Sequence, residues 1–334
     1  SIFMFHLCAN YRRFTYRRIN LSSFRFIIYF LLFSILMYYH FSISLKTNIE
    51  IQSSSSTRTM YVVRTSSRFY RTRLQHVLQT WISLVSQHAY FVTDKLLPSI
   101  SHDHLILTDE ICGQDKHAMD TLCCKTAHDF KLFHRHLTNY DWFCHFDDDQ
   151  YVNTRKLEEY LSTLDSNRPY YIGRNSWAKA LARRKEPFPY SFWFATLGAG
   201  VCLSKPLVRL LQPYTQNISQ FVNGCLKENY HDDIYLGFLI FGYLNITLTK
   251  NNQFHSHLEK DFYNDKQKFL ETFNEQITFG FGLPNYYPVF LPNLYESRLD
   301  RYRLRSLHCL LNPHIDECQM RIHKLVLNVT KSFR

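Results

Sequence analysis

Three consecutive aspartates, Asp147, Asp148 and Asp149, follow directly on the aromatic run Trp142-Phe143-Cys144-His145-Phe146. That run reads as a buried strand. Asn153 then opens the amphipathic stretch Thr154–Leu164, so the carboxylates stand where a strand ends and a helix is about to begin. In an open α/β sheet, ligands bind at such places. Three adjacent carboxylates repel one another and destabilise a fold unless a cation neutralises them. Hard oxygen donors of this kind suit Mg or Mn, ions that diphosphate substrates bring with them. A solvated acidic turn, or a helix N-terminus favoured by its dipole, accounts for the same residues without a metal.

The surrounding pattern supports an α/β fold. Strands are expected at Met60–Val63, Tyr90–Thr93 and Leu105–Leu107. Helices are expected at Arg68–Val85, where Leu74, Val77, Leu78, Trp81 and Val85 recur at helical spacing, and at Lys116–Leu137. Alternation of this kind predicts a mostly parallel sheet wrapped by helices. The second half is less regular. Tyr170–Ile172 and Ile246–Leu248 read as strands, and Ser191–Ser204 as one or two strands interrupted by Gly198-Ala199-Gly200. Pro206–Leu211 and Asp232–Leu244 read as helices.

The N-terminal region has a different character. Residues 1–25 carry Arg12, Arg13, Arg17, Arg18 and Arg25, part of a formal net charge of +11. The other basic residues are interspersed with acids and no nucleic-acid module accompanies them, which argues against nucleic-acid binding. Phe26–Leu45 has no formal charge apart from a protonated His40, and is long enough to cross a bilayer as a helix. With arginines before it, the positive-inside rule makes residues 1–25 a cytosolic tail and 26–45 a signal anchor. A cleaved signal peptide is the competing reading, but no small-residue cleavage site stands out. Residues 46–58, with four successive serines at 53–56, read as a flexible stem, and residues 59–334 as one lumenal domain. Nine cysteines and glycan acceptor sequences at Asn217, Asn245 and Asn328 agree with a secretory lumen.

Other motifs have two readings each. Gly198 and Gly200 allow backbone to approach a ligand closely, or simply mark a bulged bend. Asp232 and Asp233 precede an apolar run; either is an ordinary N-cap, or one is a general base beside a bound sugar. Of His255 and His257, two apart shortly after a strand, at most one is expected to point into a given site. Arg73, near the start of the first helix, is a surface residue or a partner for phosphate or carboxylate.

Taken in order, these segments carry a resemblance. Trp142 through Val152, Phe192-Trp-Phe-Ala-Thr196, Gly198-Ala-Gly200, Asp232-Asp233, Phe254 through Glu259 and Ser306 through Cys309 closely resemble the Fringe family. Arg64–Arg73 and Thr80–Ser83 match as well, so the likeness runs from about Met60 to Cys318. The resemblance implies a GT-A glycosyltransferase fold, a single Rossmann-like domain with a mixed, mostly parallel central sheet. It implies a Golgi, single-pass type II enzyme that uses UDP-GlcNAc and Mn²⁺ to extend O-linked fucose on EGF repeats of Notch-type proteins in β-1,3 linkage. Carried over residue by residue, Asp149 and His257 are the manganese ligands, Asp148 and Arg73 bind the donor, and Asp233 is the catalytic base. The implied disulfides are Cys112–Cys124, Cys144–Cys202 and Cys309–Cys318. Cys8 should be reduced, and a Cys123–Cys225 bond is left open.

Three positions depart from the family pattern. Leu197 stands where the family has glycine, which raises the expectation of a crowded ligand site; His231 replaces proline and Ser191 replaces histidine. A core-1-type β-1,3-galactosyltransferase and an inactive lumenal binding module are the competing functions.

Overall fold

The computed structural model describes residues 58–332 apart from 109–111, 113–117, 184–189 and 282–289. They belong to one compact unit, Thr57–Arg334. The expected tail, anchor and nearly all of the stem lie outside the described residues, as does Cys8. Among the described residues no helix is long and apolar enough to cross a membrane.

The strands are β1 (Thr59–Arg64), β2 (Ala89–Thr93), β3 (Leu105–Leu107), β4 (Trp142–Asp147), β5 (Gln150–Val152) and β6 (Tyr171–Gly173). After them come β7 (Leu181–Arg183), β8 (Tyr190–Phe192), β9 (Val201–Ser204), β10 (Leu248–Lys250) and β11 (Thr278–Gly280). Seven form the main sheet in the order β10-β6-β9-β4-β1-β2-β3. All neighbours are parallel except β9, which runs antiparallel to both β4 and β6. The sheet is mixed and mostly parallel, as expected.

Burial on both faces explains the composition of the strands. Every residue of β1 is buried. Met60 and Val62 join one core with Phe130, Phe133, Leu207 and Leu236, which come from the helices Met119–Arg135, Lys205–Thr215 and Asp232–Gly242. Tyr61 and Val63 alternate into a second core with Trp81, Phe262, Phe279 and Leu307. The sheet is therefore sandwiched between two apolar layers.

Two expected elements differ in the structure. The helix expected over Arg68–Val85 is broken into short turns, including a π-helical turn at Tyr70–Leu74 and helices at Gln75–Leu78 and Ile82–Val85. Thr80 Oγ1 donates to the His76 carbonyl at 2.7 Å, and Ser83 Oγ to that of Thr80 at 2.6 Å. Such local bonds compete with the helical ladder. The strand expected at Ile246–Leu248 begins only at Leu248. Asn245 is left-handed (φ 53°) and Ile246 N bonds back to the Ile240 carbonyl at 3.1 Å, so a turn occupies the first positions. Ser191–Ser204 forms two strands, β8 and β9, separated by the turn Leu197–Ala199, as expected of the glycines there. Gly200 closes that turn at φ 91°, where a Cβ would also lie 2.8 Å from the Phe146 ring, so both backbone and space require glycine.

The three expected disulfides are present, and Cys123 pairs with Cys225 as a fourth. That fourth bond ties the helix Met119–Arg135 to the helix Ile218–Glu228.

Candidate active site

β1 and β4 end side by side, with Arg64 in register with Asp147. Arg64 is buried and donates through Nε to Asp147 Oδ1 at 3.0 Å. Its Nη1 donates to Asp232 Oδ2 at 2.7 Å and to Thr126 Oγ1 at 3.0 Å. On the other side of Asp147, His145 Nε2 is 3.5 Å from Oδ1, and His145 Nδ1 is 2.8 Å from Asp129 Oδ2. Burial opposes the imidazolium, yet the Asp129 and Asp147 carboxylates raise His145 to about 9. Burial likewise works against the Asp147 carboxylate, but Arg64 and His145 hold it well below the usual range.

The next two carboxylates have less help. Asp148 accepts from Thr65 Oγ1 at 2.6 Å, and its Oδ1 lies 3.4 Å from Arg73 Nη1. The same Arg73 nitrogen is 3.2 Å from Asp149 Oδ2, while the guanidinium stacks 4.2 Å from the Phe69 ring. The π-helical turn holds Arg73 in this position, a distortion that recurs at functional sites. One partly exposed arginine does not balance two buried acids. Burial and mutual repulsion raise Asp148 to about 7; burial and the Asp147 charge do the same for Asp149.

His257 comes to this cluster from far along the chain. Its Nδ1 is 3.7 Å from Asp149 Oδ2, buried, and without a hydrogen-bond partner. Burial, with Arg73 nearby, lowers its pKa and keeps the ring neutral, as a metal ligand must be. His255 points elsewhere, stacking on Phe262 at 4.0 Å and bonding Gln276. Of the two histidines only His257 faces the site, as expected, and the loop is the reason: on a strand, residues two apart would share a face. β11 passes directly beneath: a Cβ on Gly280 would sit 2.1 Å from His257 N. The absence of a side chain there lets the His257 backbone descend toward Asp149.

An imidazole nitrogen with no partner, aimed at an under-neutralised carboxylate, fits a divalent cation with mixed oxygen and nitrogen donors. The described residues also hold a buried trio of Cys112, Cys124 and His128. Its sulfurs are joined in a disulfide, so they are not thiolate ligands.

Asp233 lies across a cavity of about 630 Å³ whose lining includes Ser256, the neighbour of His257, with Thr196, Asn252, His231 and Trp177. Burial, then the Asp232 charge, raises Asp233 to about 7. That value suits a general base near neutral pH. Asp232 fills a different role, receiving Arg64 and Thr126 and so docking the helix Asp232–Gly242 against the end of β1. Glu259 accepts from Ser256 N and Oγ at 2.5 and 2.9 Å and lies 3.5 Å from Arg174 Nε, which fastens the His257 loop to the end of β6.

The structure thus gathers Arg73, Asp148, Asp149 and His257 into one cluster and sets Asp233 in the adjoining cavity. Leu197 does not crowd that cavity; it is 4% exposed and packs in the apolar core. His231 lines the cavity, and Ser191 is exposed on β8. Sequence reasoning missed Arg64, Asp232 as a structural anchor, and Gly280. A lone basic residue closing an otherwise apolar strand was the available signal for Arg64.

The Fringe-like family model matches residues 55–315. Lunatic fringe of Danio rerio, a β-1,3-N-acetylglucosaminyltransferase, is 33% identical over 266 residues, covering 77% of this chain and 68% of that protein. The Fringe glycosyltransferase of Drosophila melanogaster is 32% identical over 271 residues, covering 78% and 63%. Human manic fringe is 33% identical over 269 residues, covering 77% and 80%.

Proposed function

This chain belongs to the Fringe family of glycosyltransferases, and we propose that it transfers GlcNAc from UDP-GlcNAc to O-linked fucose on EGF repeats of Notch-type proteins. The observation that carries the reading is the approach of His257 to Asp149 beside a cavity that Asp233 faces. Asp149 and His257 would hold Mn²⁺, which when bound offsets the negative charge of the diphosphate. Arg73 and Asp148 orient the donor. Asp233 takes the proton of the fucose 3-hydroxyl as that oxygen attacks the anomeric carbon. The bond to the diphosphate oxygen breaks, its electron pair leaves with UDP, and the new linkage is β. The ring of chain groups around Asp233 keeps the carboxylate close to the pKa its task requires.

The reading also puts the enzyme on the Golgi membrane in type II orientation, anchored by residues 26–45. Four disulfides support an oxidising compartment. Asn217 and Asn245 are exposed, as glycan acceptors in that compartment must be.

The test is UDP release from UDP-GlcNAc and from UDP-galactose with an O-fucosylated EGF repeat and Mn²⁺. Transfer of galactose alone would overturn the choice of donor. Asp233→Asn should lower kcat by roughly 10²–10⁴-fold while leaving UDP-GlcNAc binding largely intact. An unchanged kcat would remove Asp233 from the mechanism.

A further inference from the structure

The cavity beside Asp233 carries two exposed apolar side chains at its mouth, Trp177 at 48% exposure and Leu258 at 62%. Ligand sites set apolar side chains of this kind beside a few convergent polar groups. Trp177 is held rather than loose. Its indole meets the Phe194 ring edge-on, 5.3 Å between centroids at 80°. Its carbonyl accepts from Asn175 Nδ2 at 2.6 Å, and the flanking Ser176 N bonds the Phe194 carbonyl at 3.3 Å. Phe194 in turn is clamped from behind, since Gly237 of the Asp233 helix leaves room for it: a Cβ there would lie 2.4 Å from Phe194 Cβ. One helix therefore positions both Asp233 and, through Phe194, the indole. Leu258 follows His257 immediately, so the second apolar group comes with the metal-site loop.

We propose that Trp177 and Leu258 grip the apolar ring face of the acceptor sugar and hold its hydroxyl over Asp233. The inference rests on the transfer reading above and names how this chain recognises the acceptor half of that reaction. A deoxyhexose suits the pair: its C–H face and its methyl are the apolar surfaces that an indole and a leucine cover, while its hydroxyls turn toward Asp233, Asn252 and Thr196. Arg73 and Asp148, assigned to the donor, lie outside this lining.

The experiment measures initial rates with methyl α-fucoside as acceptor, UDP-GlcNAc and Mn²⁺, for wild type, Trp177→Ala, Trp177→Phe and Leu258→Ala. Trp177→Ala should raise the KM for the fucoside roughly 5–10-fold, well beyond any change in the KM for UDP-GlcNAc. Trp177→Phe should recover most of the loss, and Leu258→Ala should raise the fucoside KM by a smaller factor. A Trp177→Ala enzyme with wild-type fucoside KM, or one in which the two KM values rise together, overturns the clamp alone. A wild-type enzyme that does not glycosylate the fucoside, yet glycosylates the fucosylated EGF repeat, also overturns the clamp. If wild type glycosylates neither, the function reading itself fails and the clamp falls with it.

Discussion

Two groups of buried charge share the end of β4, and they differ in how completely they are balanced. Asp147 sits between Arg64 and His145 and stays ionised far below its ordinary pKa. Asp148 and Asp149, one and two residues further on, share the partly exposed Arg73 and are raised to about 7. The first group is complete and holds two structural elements together. The second keeps an unfilled demand for positive charge, the property of a binding site. Adjacent residues of one type thus divide between architecture and chemistry according to the cations the fold brings to them.

The largest test of this contrast is to remove each arginine. Arg64→Met leaves Asp147 and Asp232 buried without their partner and should cost about 3–5 kcal/mol in denaturant unfolding. Arg73→Met should cost less than about 1 kcal/mol in the same measurement, because its carboxylates can protonate, while donor affinity falls. Equal losses would erase the distinction. Next in size is the response to Mn²⁺. At a concentration about 100 times its Kd the ion should stabilise the wild-type protein by about 2.7 kcal/mol, and His257→Ala should lose most of that gain in a thermal melt.

The smallest effect is in pH dependence, and here the two groups have opposite signs. A carboxyl whose folded pKa is raised favours folding below its ordinary value, near 4, and that contribution fades as pH rises through about 7. Asp147, with a depressed folded value, contributes fully above its ordinary pKa and loses its contribution only in stronger acid. In a metal chelator, Asp149→Asn should therefore flatten the decline in stability between about pH 4 and pH 7. The change in slope should not exceed the one-proton limit of about 1.4 kcal/mol per pH unit. A steeper decline in the variant would contradict the assignment.

Much of this was legible in the sequence where local pattern and tertiary role coincide. The apolar run of β4 announces a buried strand, and the carboxylates after it announce a ligand end. β5 was hidden, because Gln150–Val152 follows the aspartates without a break and acquires its strand character from pairing with Thr278–Gly280, more than a hundred residues away. The first helix kept its apolar spacing, since Leu74, Val77 and Trp81 are buried, but hydroxyls on Thr80 and Ser83 divert its backbone bonds. The role proposed for Asp233 as opposed to Asp232 came through the family resemblance. Residue spacing left each open as an N-cap or a general base; His231 takes the cap position, and the contacts of Arg64 separate the two aspartates in space. The positioning role of Gly280 depends on a crossing strand, which no local signal reports.

The Cys123–Cys225 link spans 102 residues of chain, and within that stretch lie all three aspartates, Trp177 and the turn at Gly200. Oxidation of a single pair of thiols thus encircles the three aspartates and half of the residues that line the adjoining cavity. Maturation of the enzyme becomes a matter of where it is synthesised: a host whose cytosol reduces thiols would deliver a chain of correct sequence whose working parts are not yet fastened to one another.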